Sequence, residues 1–275
     1  MQTTPSAAAN PALLTGSADG WPLAELAAMG YGSLEVPASA LEAGLPWHAE
    51  SERLGLRVIA VNAMDELRPY LTGSLSDNVA RRRDDTVARL TGAIERMAAL
   101  SIPYLVVAPS RLAEIYQTPD EAGALLTDSL RRLSDAAGDA VTVLLCGAPF
   151  RLFGTAQEVA EVVDGVERAN VAAALNLGHV LLLDERPADA AHALGYRLRY
   201  VQVNDADVRP GVPRLDRHLP LGAGSLDPGE ARGVLTGMAW GLSVTAPDDP
   251  LGAARDGLAR LKAGEAEPPS GTVHS

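Results

Sequence analysis

The fold is decided by the stretch that opens with Val171-Ala-Ala-Ala-Leu175 and closes with Leu198-Arg-Tyr-Val-Gln-Val203. Both runs are short, apolar and of the length of a buried strand. The segment between them has a helical pattern and is followed by Gly195, where a left-handed cap or a tight turn costs little. A strand, a helix and a second strand in this order are the repeating unit of a parallel sheet with crossover helices.

The same alternation extends over the rest of the chain, and eight parallel strands close a barrel. We therefore predict an α/β protein with a single (β/α)8 TIM barrel over residues 11–263, a flexible N-terminal segment over residues 1–10 and a disordered tail over residues 264–275. The other candidate strands are Ala12–Thr15, Ser33–Val36, Arg57–Val61, Tyr104–Val107, Val141–Leu145 and Trp240–Val244.

Helices between these strands are predicted from spacing and from capping residues. Thr118-Pro-Asp-Glu121 and Thr155-Ala-Gln-Glu158 are capping boxes, which start helices. Gly30 is expected to end an earlier helix in the way that Gly195 ends a later one. An apolar stripe at helical spacing predicts a helix that packs on the barrel, and its members are Val87, Leu90, Ile94, Met97 and Leu100.

Charge and cysteine content exclude several function classes. The net charge is −12, which repels nucleic acid, and the basic triplet Arg81-Arg82-Arg83 is followed by Asp84-Asp85, as in a solvated helix start. The single cysteine, Cys146, favours a reducing compartment. Because the sequence also lacks a signal-peptide pattern and any apolar run of about 18 residues, we expect a cytoplasmic protein without membrane contact.

Five motifs in the right order resemble the sugar phosphate isomerase/epimerase superfamily, the xylose isomerase-like barrels, over nearly the whole chain. Asn176-Leu-Gly-His179 is similar to the Asp-x-Gly-His that follows the sixth strand in that family. Tyr200-Val-Gln-Val-Asn-Asp205 is similar to the motif of the seventh strand. The other three are Ala28-Met-Gly-Tyr-Gly-Ser-Leu-Glu-Val36, the segment Ala93–Pro103 and Leu219-Pro-Leu-Gly-Ala-Gly-Ser-Leu-Asp227.

The resemblance implies a divalent metal held by Glu, Asp, His and Glu at the ends of strands five to eight. The matching positions here are Cys146, Asn176, Gln202 and Thr245, so three negative charges are lost. Two amides, a hydroxyl and a thiol are a poor set of ligands for a hard dication. We therefore expect no metal and no cofactor at these positions, and the family's proton transfer between two glutamates is excluded.

Three residues at the mouth are candidates for catalysis. His179 is the first, as an acid or base near neutral pH, and the alternative is a histidine that only orders Asn176 by hydrogen bonding. Glu35 ends the second strand, as a base opposite His179 or as an acceptor for backbone donors. Asp205 is the third, with bracing of its loop as the favoured alternative.

Other residues at the strand ends are candidates for substrate binding. Asn176 and Gln202 offer amide donors to a carbonyl or an oxyanion, and the alternative is that they bond to each other in a collapsed site. Asn62 and Arg217 complete the predicted binding set together with Cys146 and Thr245. Arg217, like Arg209 and His218 near it, is either an anion contact or a loop surface charge.

Two hypotheses follow from these residues. The first is a metal-independent enzyme that isomerises, epimerises, dehydrates or cyclises a small oxygenated substrate by proton transfer. The second is a catalytically inactive barrel that binds a small molecule or a partner protein. An endonuclease of the related abasic-site type is rejected, because its multi-metal ligand cluster is lacking and the chain is acidic. The resemblance also implies a possible homodimer.

Overall fold

The computed structural model describes residues 12–14, 22–42, 48–64, 74–110, 117–243 and 249–263. Eight parallel strands close into one barrel, in which each strand pairs with the next and β1 pairs with β8. The strands are β1 Ala12–Leu14, β2 Ser33–Pro37, β3 Arg57–Asn62, β4 Tyr104–Val107, β5 Thr142–Cys146, β6 Val171–Asn176, β7 Leu198–Val203 and β8 Ala239–Leu242.

Helices follow the strands and cover the outside of the barrel. They are α1 Leu23–Ala28, α2 Ala38–Glu42, α3 His48–Arg53, α4 Ala80–Ala99, α5 Pro119–Ala137, α6 Ala156–Val166, α7 Leu177–Leu182, α8 Pro187–Leu194, α9 Pro228–Leu235 and α10 Pro250–Lys262. A 3₁₀ turn, Gly195–Arg197, leads into β7. In the described part of the chain no helix is both long and apolar enough to span a membrane.

The predicted (β/α)8 barrel is confirmed, and the described strand ends lie within one residue of their predicted positions, except that β8 ends at Leu242, two residues before the predicted end. Two predicted strand ends, Thr15 and Val244, lie outside the described residues, as do the predicted terminal segments. The short apolar runs identified the barrel strands. A strand with helices on one face and the barrel interior on the other must be apolar along nearly its whole length.

The predicted helix signals are also present. Both capping boxes form, with the side chains of Thr118 and Thr155 each accepting from the backbone N–H three residues on. Gly30 and Gly195 have positive φ angles of 94° and 52°. In the apolar stripe of α4 one residue departs from the prediction: Leu100 lies beyond the last helical residue and is 37% exposed.

The basic triplet lies in the first turn of α4, as expected for a solvated helix start. Arg81 is 91% exposed, and the Nε atom of Arg82 lies 2.8 Å from an Asp77 carboxylate oxygen.

The barrel interior is small and partly polar. Ala60, Ala172 and Ala174 leave room for the ring of Tyr200, which is fully buried and stacks on Tyr104 with ring centroids 6.0 Å apart. Side chains two residues apart on a strand share a face. Gln202 therefore follows Tyr200 up the inside of β7 toward the C-terminal mouth, where barrel enzymes hold their chemistry.

Candidate functional site

A buried carboxylate organises the upper part of the barrel interior. Glu35, in β2, is fully buried and accepts three hydrogen bonds. The hydroxyl of Tyr200 donates to Oε2 at 2.6 Å, while Gln202 Nε2 and Asn62 Nδ2 donate to Oε1 at 2.6 and 2.8 Å. Three donors from β3 and β7 thus hold a single acceptor on β2.

The network continues to β6 through the amides. Asn176 Nδ2 donates to Gln202 Oε1 at 3.3 Å, and Asn176 Oδ1 accepts from the backbone N–H of His179 at 3.0 Å. Asn176 is therefore the N-cap of α7, and this cap fixes the turn that carries His179. The predicted bond between Asn176 and Gln202 is present, but it belongs to a chain that ends on Glu35.

Burial controls the protonation of this network. Burial raises the pKa of Glu35 above its ordinary value, against the opposing effect of its three hydrogen bonds. Burial and the nearby Glu35 charge raise the pKa of Tyr200 well above its ordinary value. The phenol therefore remains a donor to Glu35 at neutral pH.

His179 lies at the end of β6, in the first turn of α7, and is 3% exposed. The turn needs Gly178, because a Cβ atom there would lie 2.0 Å from Asn204 Nδ2. The imidazole Nδ1 lies 3.2 Å from the carbonyl oxygen of Gly147, and Nε2 lies 3.1 Å from Asp216 Oδ2.

These two contacts constrain the proton on His179. A carbonyl oxygen only accepts, so Nδ1 carries hydrogen and donates to Gly147. In a neutral ring Nε2 then carries a lone pair, which repels the carboxylate of Asp216. Nε2 is therefore the ring nitrogen at which His179 can exchange a proton, and Asp216 accepts from it when that nitrogen carries hydrogen.

A second histidine shares the same carboxylate. His218 Nε2 lies 3.3 Å from Asp216 Oδ1, and His218 Nδ1 lies 2.9 Å from Ser243 Oγ. The two imidazole rings meet edge to face at a centroid distance of 5.4 Å. Burial raises the pKa of Asp216, but the hydrogen bonds from both histidines outweigh it and hold that pKa well below its ordinary value.

Asp205 braces the loop that carries this pair. Its buried carboxylate accepts the backbone N–H groups of Ala206, Gly222, Gly224 and Leu226 at 2.8–2.9 Å. Asp205 and Leu219 also exchange two backbone hydrogen bonds, which close the base of the loop. Since both carboxylate oxygens are occupied by backbone donors, we leave Asp205 out of the proposed catalytic set.

A cavity of about 350 Å³ opens at the mouth beside these residues. Its lining includes the polar residues His179, Gln202, Asn62, Asp216 and His218, and also Met64, Ala148, Pro149, Phe150 and Arg151. Three of the residues predicted at the mouth, His179, Gln202 and Asn62, therefore line one cavity. Glu35 and Asn176 do not line it, but both are hydrogen-bonded to Gln202.

Two other predicted binding residues, Cys146 and Arg217, do not line this cavity. Cys146 is buried, with its thiol 3.5 Å from the carbonyl oxygen of Gly147. Arg217 is exposed, and its charge helps to lower the pKa of Asp207, which is paired mainly with Arg209. Thr245 lies outside the described residues.

The donors at the ends of β5 to β7 do not fit the divalent metal that the fold family implies. Burial, with the Glu35 charge, raises the pKa of Cys146 to about 12, so the group is a neutral thiol at neutral pH. The side-chain oxygens of Asn176 and Gln202 already accept hydrogen bonds. A hard dication needs anionic oxygen ligands, and these three residues supply none.

A different group has the chemistry of metal ligands. One atom from each of His179, Asp216 and His218 lies within 4.8 Å of the others, the only such group of three in the described part of the chain. Two imidazoles and a carboxylate are a ligand set used by zinc and non-haem iron. The same atoms are joined here by hydrogen bonds, so one arrangement serves either a proton or a metal.

Sequence reasoning missed Asp216 and Tyr200, and it weighed His218 only as an anion contact or a surface charge. The available signal was the spacing Asp216-Arg-His218, which places two ligand-type side chains on one side of an extended segment. Nothing in the sequence brings this pair to His179, because 37 residues separate Asp216 from it.

Comparisons with known proteins agree with the fold. The family model described as xylose isomerase-like TIM barrel matches residues 23–264. No curated protein matches the sequence.

Solved structures match over most of the chain. 3-Keto-D-glucoside 4-epimerase from E. coli is 18% identical, with a TM-score of 0.75 over 92% of this chain and 99% of that one. A D-tagatose 3-epimerase-like protein is 17% identical, with a TM-score of 0.75 over 94% and 100%. D-Psicose 3-epimerase is 17% identical, with a TM-score of 0.70 over 88% and 91%. At these identities the likeness shows the shared fold, and the match of the family model is what assigns membership. The chain belongs to the xylose isomerase-like TIM barrel family.

Proposed function

We propose that the chain is an isomerase- or epimerase-type enzyme that moves protons on a small oxygenated substrate without the family's divalent metal. The observation that carries the proposal is the carboxylate of Asp216, shared by the imidazoles of His179 and His218 beside an open cavity. Membership of a family whose structural relatives include sugar epimerases supports the reaction class.

His179 is the proposed acid and base. Its Nδ1–H is held by Gly147, so only Nε2 exchanges a proton with substrate. With Nε2 unprotonated, His179 takes the C–H proton next to the substrate carbonyl, and the C–H electron pair passes into the enolate oxygen. The imidazolium that forms is stabilised by Asp216 and returns the proton, or a solvent deuteron, to the carbon as the carbonyl re-forms. His218 stabilises the charge of Asp216 while His179 is neutral, through its own Nε2 contact.

Gln202 and Asn62 are the proposed anchors for a substrate carbonyl. Each amide nitrogen commits one hydrogen to Glu35 and carries a second hydrogen. Both residues line the cavity, so the second hydrogens are available to an oxyanion. The amide groups of Gln202 and Asn62 thereby polarise the carbonyl, which a metal ion would otherwise do.

The test is deuterium exchange by protein freed of metal with EDTA. The protein is incubated in D₂O with D-fructose, dihydroxyacetone and pyruvate, and ¹H NMR follows loss of the C–H signals next to each carbonyl. We expect enzyme-dependent exchange on at least one compound, and a fall of about 10²-fold or more in His179→Gln. His192→Gln is the matched control, because His192 is exposed on α8 and does not line the cavity.

Two results would contradict this proposal. Full activity in His179→Gln would show that His179 is not the acid and base. Activity that is lost with EDTA and restored by Zn²⁺ or Mn²⁺, with elemental analysis giving one metal per chain, shows a metal enzyme that uses His179, Asp216 and His218 as ligands.

A non-catalytic barrel that binds a small molecule is the second candidate. The observation that favours it is the closed chain of hydrogen bonds from Asn176 through Gln202 to Glu35, which is satisfied without any ligand. Saturable binding in the cavity with no deuterium exchange on any bound compound would select this candidate. The possible homodimer remains a prediction, which sedimentation equilibrium would check.

A further inference from the structure

One loop at the mouth contains both phenylalanines of the chain, and both have unusual backbone geometry. The loop joins β5 to α6 and includes Phe150 and Phe153, with positive φ angles of 60° and 55°. A bulky residue at positive φ is an outlier that persists only where the surroundings enforce it.

Phe153 has a clear packing role. It is partly buried against the main core, and its ring carbon Cζ would lie 3.3 Å from a Cβ atom added at Gly123 on α5. Contact with the core therefore accounts for the conformation of Phe153.

Phe150 lacks such a role within the described residues. Its side chain is 66% exposed, although it is one of the largest apolar groups in the chain, and it lines the mouth cavity. His179 and Gln202 line the same cavity.

The loop around Phe150 is tied firmly to its neighbours. The guanidinium of Arg151 donates to the carbonyl oxygens of Pro109 at 2.9 Å and Met64 at 3.2 Å, and the backbone N–H of Leu152 donates to Ser110. These bonds link the ends of β3, β4 and β5. A braced backbone thus keeps Phe150 at positive φ beside the cavity, although the side chain is largely exposed.

We propose that Phe150 is a specificity-determining residue that covers the apolar face of a ring-shaped substrate. The proposal rests on the proposed function and adds a substrate class to it: a cyclic hydroxyketone that keeps one face of C–H or π character. Its carbonyl and hydroxyl edge faces Gln202, Asn62 and His179, and its apolar face lies on Phe150. An open-chain hydroxyketone presents no rigid apolar face and gains little from the ring.

The test compares two α-hydroxyketones, cyclic 2-hydroxycyclohexanone and open-chain dihydroxyacetone, by ligand-detected NMR titration. Phe150→Gly and Phe150→Tyr are measured beside the wild type. Covering one face of an exposed phenyl ring strengthens binding about tenfold, so we expect Phe150→Gly to weaken binding of the cyclic ketone by about that factor. Phe150→Tyr keeps the ring face and should bind within about twofold of wild type.

Stability provides the matched control for folding. Glycine adopts positive φ without strain, so Phe150→Gly should keep or raise Tm by about 2 °C. Phe153→Gly relieves a similar angle but loses core packing, so its Tm should fall. Weaker binding in a variant that is no less stable than wild type cannot be attributed to misfolding.

The outcomes separate this inference from the proposed function. Wild-type binding of the cyclic ketone that is no tighter than that of dihydroxyacetone, or unchanged binding in Phe150→Gly, overturns the role of Phe150 even if deuterium exchange occurs. Selective binding that depends on Phe150, without exchange on any substrate, supports the role of Phe150 and removes the proposed catalysis instead.

Discussion

Replacing Glu35 by Gln should remove a specific part of the protein's pH dependence. Burial raises the pKa of Glu35 above its ordinary value of 4.5. At a pH between the unfolded-state pKa and the folded-state pKa of Glu35, the folded protein keeps a proton that the unfolded chain has released. Raising the pH in this range therefore destabilises the folded state. The loss is at most about 1.4 kcal/mol per pH unit for a single group. That corresponds to about 3 °C in Tm per pH unit for a chain of this size. The loss ends once the pH passes the folded-state pKa.

The replacement keeps most of the local hydrogen bonds. The new side-chain amide can accept from Asn62 and Gln202 with its oxygen and donate to Tyr200 with its nitrogen, so the cost is about 1 kcal/mol. Glu35→Ala leaves three buried donors without an acceptor and should cost about 3–5 kcal/mol.

The assay is urea denaturation of wild type, Glu35→Gln and Glu35→Ala between pH 5 and 7. As the pH rises from 5, we expect the free energy of unfolding of the wild type to fall relative to that of Glu35→Gln. Parallel curves over this range would refute the reasoning, because they would show that Glu35 ionises in the folded state as it does in the unfolded chain.

Three further predictions concern the supporting structure. Asp205→Ala removes the acceptor of four backbone N–H groups and should cost about 3 kcal/mol in urea denaturation, with a cost below about 1 kcal/mol contradicting the bracing role. Gly178→Ala should destabilise the protein by about 2 kcal/mol, because the added Cβ atom clashes with Asn204. Gly165→Ala is the control: it lies in α6, no atom lies within 4 Å of the added Cβ, and the variant should be neutral or stabilising in the same measurement. Because burial raises the pKa of Cys146 to about 12, iodoacetamide at pH 8 should leave the native thiol unmodified and label it in denaturant, and rapid native labelling would disprove its burial.

The barrel was predictable because its signals are local. Strand length, the apolar stripe of α4 and the capping boxes at Thr118 and Thr155 each depend on a few neighbouring residues, and the structure has all of them. The one departure, Leu100, lies at a helix end, where an apolar residue can continue the spacing after the helix has stopped.

The candidate site was only partly predictable because its contacts are distant in sequence. His179, Gln202 and Asn62 lie at or just after the C-terminal ends of strands and could be placed at the mouth by topology alone. Tyr200 could not be identified as a site residue, because an inward-facing tyrosine on a strand has the same sequence pattern as an apolar core residue. Asp216 belongs to a loop with no periodicity, and its contact with His179 exists only because that loop folds against α7.

The carbonyl group of Gly147 has a consequence for how this protein can change. It accepts the Nδ1 proton of His179, and it also begins the loop that holds Phe150 over the cavity. A substitution that moves this loop to admit a larger molecule therefore also moves the atom that sets the tautomer of the histidine. If the proposed function holds, substrate range and proton chemistry depend on one peptide unit, and a directed-evolution library confined to residues 147–154 should yield variants in which the two properties change together.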